Sequence, residues 1–473
     1  MAFSKRYTLK ELSISVDKSS TLTPSEEINS LSVSAGVYDI RNLAKEIAVH
    51  ESIDSPSVRM DITMIDTVDF NAFLSGNELI KLNLITDSDP TGSGLNIIMR
   101  VFKIGSVVKQ ERTQLYTLHC VSPEVYNNEV NRVFKSFIGK ESGTQAVKKI
   151  VTDNLKASKK MKGGIFEDSS GIIQFISPNW RPFDTISYIS DKIVRASNKD
   201  QSGFLFFENK NGYNFVSIDY LCSSLNPTYN NPLKYSYTQK NIQQTGGGYY
   251  NIEMIKFPDK YNHLEKMRSG TYSSAILSLN VPNIFESGIT DSGRKKEAAR
   301  GRSATPSGTK LTPTVVSVKS IFRIANKLES QFPYPDSVSN YLYDGKTSSK
   351  DTLFPARSKL RILPGLSKQS TTNNTANNGN QANRDTVAVS AYANARYQLL
   401  NTIQLTIVVP GNTSIVTGNV ISVSIPKSLQ SGARVTEDPL YSGKYLVVGL
   451  THRYSAEGVT TTLVLARDSI KRA

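Results

Sequence analysis

Cysteine is nearly missing: Cys120 and Cys222 are the only two in 473 residues, far apart and each inside an apolar alternating stretch. That scarcity argues against a disulfide framework and for two buried, reduced thiols. Histidine is almost as rare. His50, His119, His263 and His452 lie far from one another, and none stands in a His-x-Glu or His-Glu-x-x-His setting, so neither a metal centre nor a cofactor is expected. His119 and His452 fall in strand-like stretches, where a hydrogen-bonded, half-buried imidazole is the expected state. Long apolar runs are missing too. No window approaches the roughly 18 apolar residues of a spanning helix, and no apolar run follows the charged start Met1–Arg6, so neither a membrane span nor an export signal is expected.

Other absences narrow the chemistry. Gly246-Gly247-Gly248 lacks both the Gly-x-Gly-x-x-Gly spacing after a strand and a following Gly-Lys-Ser/Thr, so it reads as a hinge or tight loop and not as a phosphate cradle. Acid pairs such as Glu26-Glu27 give no sign of two carboxyls held in different environments across a cleft, which acid–base work requires. The lone Trp180, before Arg181-Pro182, reads as a residue packed at a domain junction, with an exposed stacking anchor as the alternative. No catalytic constellation is visible, and the expectation is a protein that is not an enzyme.

What is present is length, positive charge and alternation. The chain exceeds one ordinary core, so several compact units are expected. Lys plus Arg outnumber Asp plus Glu by 56 − 41 = 15, a balance that favours nucleic acid, an acidic membrane or an acidic protein partner. The densest basic cluster, Arg294, Lys295, Lys296, Arg300, Arg302 and Lys310, lies in a Gly/Ser/Thr/Pro-rich stretch. Its plainer reading is a solvated loop; the alternative is a basic contact that orders against an acidic neighbour.

Period two dominates the first 120 residues. Val58, Met60, Ile62 and Met64 alternate with Arg59, Asp61 and Thr63, and the rhythm returns in Leu79–Leu84, Ile97–Ile104 and Leu115–Cys120. Val68–Leu74, behind Asp66 or Thr67 as N-cap, reads as a helical turn or two. After Pro123 the period changes. Val147, Ile150, Val151 and Leu155 predict a helix capped by Ser142 or Thr144, and Pro182 opens a second that carries Ile186, Ile189 and Ile193 and runs to about Asn198. Asn211-Gly212 predicts a type I′ turn between strands Phe204–Phe207 and Tyr213–Ile218.

Beyond the glycine break, Tyr249–Phe257 and Tyr272–Leu279 read as strands around a short helix at Asn262–Met267. Two polar stretches, 286–313 and 366–389, are expected to be flexible, with a helix candidate at Ile321–Leu328 between them. Ala391–Leu400 reads as helix. Alternation then returns in Thr402–Val409, Gly418–Pro426, Tyr445–Tyr454 and Thr460–Leu465, so the C-terminal 80 or so residues repeat the style of the start.

The fold expected is therefore mainly β, α+β overall: two antiparallel barrel or sandwich units, a smaller α+β intermediate unit and polar inserts. The divisions are 1–121 for the first β unit, 122–240 for the intermediate unit, 241–285 with 390–473 for the second β unit, and 286–389 for the insertion.

Three collinear pieces go further. The run Ala48–Asp66 (Ala-Val-His-Glu-Ser-Ile-Asp-Ser-Pro-Ser-Val-Arg-Met-Asp-Ile-Thr-Met-Ile-Asp) with Gly76-Asn77-Glu78-Leu79-Ile80 resembles the first tube domain of the baseplate hub protein of T-even-like contractile phages. Val409-Pro410-Gly411-Asn412-Thr413, Gly418–Pro426, Tyr441–Val447 and His452-Arg453-Tyr454 resemble the closing strands of its second tube domain. Arg181–Ile186 leading to Gly203–Glu208 is similar to the helix and hairpin of its intermediate domain. The two polar inserts depart from that family's pattern.

The resemblance implies a virion protein of the tail baseplate, assembled in the host cytoplasm. It implies a homotrimer in which three chains give six tube-like units, matching a threefold central spike to a sixfold tail tube. The partners implied are the spike, the tube or its initiator, a tape-measure protein in the lumen and the surrounding wedge proteins. DNA would pass without being read. Arg59, Asp61, Thr63, Thr402, Gln404 and Thr406 would line the lumen, while Met60, Ile62, Ile403 and Leu405 face the cores. The alternatives are the hub of a phage-derived injection or secretion machine, which shares the fold, and a basic nucleic-acid-binding protein, which rests on the charge alone.

Overall fold

A computed structural model of the chain describes residues 7–16, 30–87, 89, 92, 94–199, 201–237, 250–258, 263–269, 273–279, 315–320, 324, 326–330, 357–362, 386–427 and 437–470. The fold is mainly β with smaller α+β parts. Alternation builds a first barrel: Ala44–Ser52, Arg59–Asp66, Thr113–Val121, Leu95–Gln110, Leu79–Thr86 and Tyr7–Ser15 pair in that order, all antiparallel, and Tyr7–Ser15 also pairs with Val37–Asp39. The amide of Ile40 donates to Leu12 O and that of Ile65 to Leu43 O, drawing the two sides together. Every second residue points inward, so Met60, Ile62, Met64, Ile80, Leu82, Leu84, Leu118 and Cys120 form one core. The short helix is narrower than expected. It is a 3-10 turn, Phe70–Phe73, whose approach Asp66 organises by accepting from the amides of Val68 and Asn71 at 3.0 and 2.8 Å.

The intermediate part packs helices on a two-stranded ribbon, Val133–Ser142 with Ile172–Trp180. Helix Gly143–Asp153 starts at a capping box in which Ser142 and Gln145 satisfy each other's backbone amides, and it buries Ala146, Val147, Ile150 and Val151. Helix Pro182–Ser190 stops eight residues before the Asn198 expected from periodicity. Ile193 stays buried just beyond the helix and Val194 in the short strand Val194–Arg195, which is why helix-spaced apolar residues outrun the helix. The hairpin Phe204–Asn209 with Gly212–Ser217 turns through Lys210-Asn211, not Asn211-Gly212, since Asn209 pairs with Gly212. Neither turn residue has a positive φ, so the turn is not type I′; the glycine is needed at the strand start, where φ is 140° and an added Cβ would lie 2.0 Å from Lys160 O.

A second barrel assembles from Leu233–Ser236, Val420–Ser424, Gly443–Ser455, Gly458–Arg467, Ile403–Pro410 and Met254–Lys256. A bridge from Ser236 to Asn251 closes it. Its core holds Tyr235, Leu405, Ile407, Ile421, Tyr445 and Leu463. Ser273–Leu279 does not join this barrel. It is the middle strand of a separate sheet, antiparallel to Val315–Ser320 and parallel to Arg357–Ile362. Of the helix expected at Ile321–Leu328, the described residues Ile324 and Asn326–Leu328 are not helical. Helix Thr386–Leu400 begins earlier than Ala391 and takes in 386–389, part of the polar stretch expected to be flexible. Its Arg396, fully buried, bridges Asp219 and Asp468 at 3.2 and 2.6 Å and so ties the helix to the short helix Ile218–Leu221 after the hairpin and to the segment that follows the strand Gly458–Arg467. The basic cluster 294–310 and the glycine run 246–248 lie outside the described residues.

Candidate functional surface

The two barrels are joined edge to edge. Strand Ala44–Ser52 of the first pairs antiparallel with Gly443–Ser455 of the second, in register from Ser52↔Gly449 to Glu46↔Ser455. The strand Gly443–Ser455 can serve both barrels because a bulge at Val448 splits it: Gly443–Leu446 pairs with Val420–Val423, and Gly449–Ser455 with the first barrel. The result is one antiparallel run of eight strands: Met254–Lys256, Ile403–Pro410, Gly458–Arg467, Gly443–Ser455, Ala44–Ser52, Arg59–Asp66, Thr113–Val121, Leu95–Gln110.

Directly opposed residues share a face, so the register fixes what this sheet presents. Away from the cores stand Thr406, Thr462, Thr451, His50, Arg59, Asp61, Thr63 and His119, all exposed or half-buried, with the exposed Ile65, Leu115 and Val464 among them. Of the six predicted lumen positions, Arg59, Asp61, Thr63, Gln404 and Thr406 lie on this one surface. Thr402 does not join them: it stands before the strand, buried, and its hydroxyl donates to Leu399 O at 2.6 Å, closing the end of the helix.

The surface has a polar focus that sequence spacing could not locate. Asp61 meets His119 Nδ1 at 2.7 Å and His50 Nε2 at 3.5 Å, while His50 Nδ1 lies 3.0 Å from Thr451 Oγ1 across the barrel junction. Burial holds the His50 imidazole below its ordinary value in spite of Asp61. Arg453 pairs with Glu46 over the same junction at 2.7 Å. Period two had put His119 on a strand and Asp61 on its polar face, but their adjacency follows from pairing between distant strands. Among the described residues no group of three His, Cys, Asp or Glu side chains is placed to hold a metal ion. Beside this focus a cleft of ≈ 350 Å³ opens over the junction, lined by His50, Asp54, Tyr397, Asn401, Gln404 and Thr451.

Beneath the surface two buried carboxylates clamp the barrels to the hairpin. Glu51 accepts from the amides of Lys210 and Thr417 at 2.8 and 3.1 Å and from the Thr417 hydroxyl at 3.3 Å. Burial outweighs these donors and pushes its carboxyl up to about 7. Glu208 accepts from the Val58 amide and from Lys160 Nζ. His452, buried beside Thr461, is pushed down to about 3 by burial and is neutral. Trp180 is half-buried with its ring 5.0 Å from Tyr188, within the intermediate part.

No protein-family model matches the chain, and no curated protein sequence does. Solved structures do. The tail protein from Neisseria meningitidis MC58 aligns over 98% of this chain and 97% of its own, at 11% identity and a TM-score of 0.51. The 43 kDa tail protein of prophage MuSo2 from Shewanella oneidensis aligns over 97% and 99%, at 9% identity and a TM-score of 0.49. An Escherichia coli component of the type VI secretion system, described as structurally similar to the T4 bacteriophage tail proteins gp27 and gp5, aligns over 90% and 73%, at 8% identity and a TM-score of 0.39. At such identities the likeness is one of architecture: the chain has the fold of the meningococcal tail protein, in agreement with the hub-family resemblance carried by its sequence.

Proposed function

We propose that this chain is a structural protein of a phage tail baseplate, the hub that joins tail tube to central spike. The observation that carries the reading is the shared sheet: one chain holds two barrels, and their strands form a single eight-stranded surface whose outer face is mostly polar, with Ile65, Leu115 and Val464 partly exposed among the polar residues. A surface of that kind suits a ring wall, because most of its apolar side chains fill two cores and its other, mostly polar side can face water. Three copies would supply six barrels, a number that meets a sixfold tube on one side while the threefold axis meets the spike on the other. In that ring Arg59, Asp61, Thr63, Gln404 and Thr406 line the lumen, and DNA passes them without base-specific contacts. The spike, the tube or its initiator, a tape-measure protein and wedge proteins are the partners this role requires, and the basic cluster at 294–302 is the proposed contact for an acidic one.

The test is the oligomer. Light scattering on the full-length chain, with negative-stain images of the peak, is expected to give a trimer that projects as a ring with threefold or pseudo-sixfold symmetry. A monomer throughout the micromolar range, with and without a co-expressed spike, would sink the proposal.

A further inference from the structure

The intermediate part leaves one apolar face uncovered. Its ribbon, Val133–Ser142 with Ile172–Trp180, sets Phe137 opposite Phe175 on one face, and Phe134 opposite Pro178 and Ser136 opposite Ile176 on the other. The first face is the core side: Phe137 and Phe175 stack at 4.7 Å and share one apolar cluster with Val147 and Ile150 of helix Gly143–Asp153 and Ile186 and Ile189 of helix Pro182–Ser190. On the second face Phe134, Ser136, Ile176 and Pro178 are all exposed. Phe134 and Ile176 stand diagonally across the two strands, at a separation that large side chains span, and they are 80% and 67% exposed. Val130, at the end of the helix Glu124–Val130 that leads into the ribbon, is 80% exposed as well. Trp180 does not cover them. A bulge at Asn179 shifts the register, so Trp180 pairs with Val133 and its ring stands against Tyr188. Single exposed apolar residues are ordinary, but a contiguous group marks a contact surface.

We propose that this face seats an acidic amphipathic helix of a partner protein. Charge selects the partner. Two exposed arginines border the patch: Arg132 gives Nη1 to the carbonyls of Glu129 and Asn131 at 2.7 and 3.1 Å, and Arg181 gives Nη1 to Glu129 at 3.1 Å. The other donors of both guanidinium groups hold no partner among the described residues, and such a fork matches a carboxylate. A helix fits because the same ribbon already takes helices on its inner side. Its apolar stripe would remove Phe134, Ile176 and Val130 from water, and acids on its flank would meet Arg132 and Arg181. A second copy of the chain is the poorer occupant. The net charge is +15, and a twofold contact through this face would bring the arginines of one copy against those of the other. The surface also stands apart from the ring proposed above, since the ribbon is a sheet of its own and shares no strand with the eight-stranded one.

The test uses the full-length chain and a labelled synthetic peptide of about 18 residues, Leu and Glu placed at helical spacing. A scrambled peptide of the same composition is the control. Fluorescence anisotropy is expected to show saturable binding of the amphipathic peptide and at least roughly tenfold weaker binding of the scramble. Phe134→Ser with Ile176→Ser should raise the dissociation constant by at least roughly tenfold, the loss of an apolar anchor, and leave the melting temperature in place, because both side chains are exposed in the free chain. In Arg132→Gln with Arg181→Gln the dependence of binding on salt should flatten. No saturable binding, equal binding of the two peptides, or binding that the serine variant leaves unchanged would overturn the proposal. So would a wild-type oligomer that falls apart in the serine variant, since a second copy would then be what covers the face. A chain that binds the peptide in this way and yet stays monomeric would remove the ring and keep this surface.

Discussion

Glu51 shows how a single side chain can be read wrongly from its neighbours. Three donors and the nearby Lys210 ammonium all favour its ionised form, yet its full burial costs more than they return, and the carboxyl sits at about 7. The linkage sign follows. A carboxyl whose folded value lies above its unfolded one binds its proton more tightly when folded, so its stabilisation is complete below pH 4.5 and is lost as pH rises through 7. The loss amounts to about 3 kcal/mol if the whole shift is expressed. Glu51→Gln, which stands in for the protonated acid, should therefore gain on wild type by up to about that amount between pH 5 and 8 in urea denaturation. A wild-type-minus-variant difference that stays flat across this range would mean the carboxylate is ionised throughout. Sequence gave no hint of this, because Glu51 stands in a strand beside His50 like any surface acid, and only the approach of Lys210 and Thr417 encloses it.

At the scale of elements, the strands were legible because alternation and burial share one cause, a sheet with a single wet face. Helix ends were less so. Ile193 continues a helical spacing beyond the end of the helix, and the hairpin's Asn-Gly pair stands one residue off the turn it suggests. Gly212 has a different reason to be glycine: φ of 140° and the carbonyl of Lys160, on the neighbouring helix Ser158–Gly163, against its α-carbon. Gly212→Ala is expected to cost roughly 2–4 kcal/mol, combining backbone strain with overpacking. Gly76 is the control. It too has a positive φ, 84°, but nothing lies within 4 Å of an added Cβ, so Gly76→Ala should cost only about 1 kcal/mol of strain. Equal shifts in the two denaturation midpoints would show that the Lys160 contact does not matter. Of the three-stranded sheet, the sequence shows only the middle strand and places it in the second β unit; its partners Val315–Ser320 and Arg357–Ile362 are not legible, since they come from segments separated by long polar stretches.

For the whole molecule, the similar β-rich ends were visible in sequence, but their joining was not, because it depends on a register between strands about 400 residues apart. That joining is more than a ladder of backbone bonds. Tyr454 and Val459, at the tip of the last hairpin, are buried in the core of the first barrel, and the Tyr454 ring lies 5.8 Å from that of Tyr7. The first barrel is thus completed by the last strands of the second, which makes independent unfolding of either one expensive: detaching the hairpin opens an apolar core and breaks the pairing from Glu46 to Ser52 at the same time. Tyr454→Ala removes the largest of these shared groups, and a buried aromatic truncated to alanine costs about 3–5 kcal/mol. If the barrels form one cooperative unit, hydrogen exchange in the variant should speed up by a similar factor in Met60–Met64 and in Leu463–Leu465, one segment deep in each barrel. Faster exchange in the first segment alone would mean that the barrels open separately and that the shared sheet is a hinge between them, a poor wall for a channel.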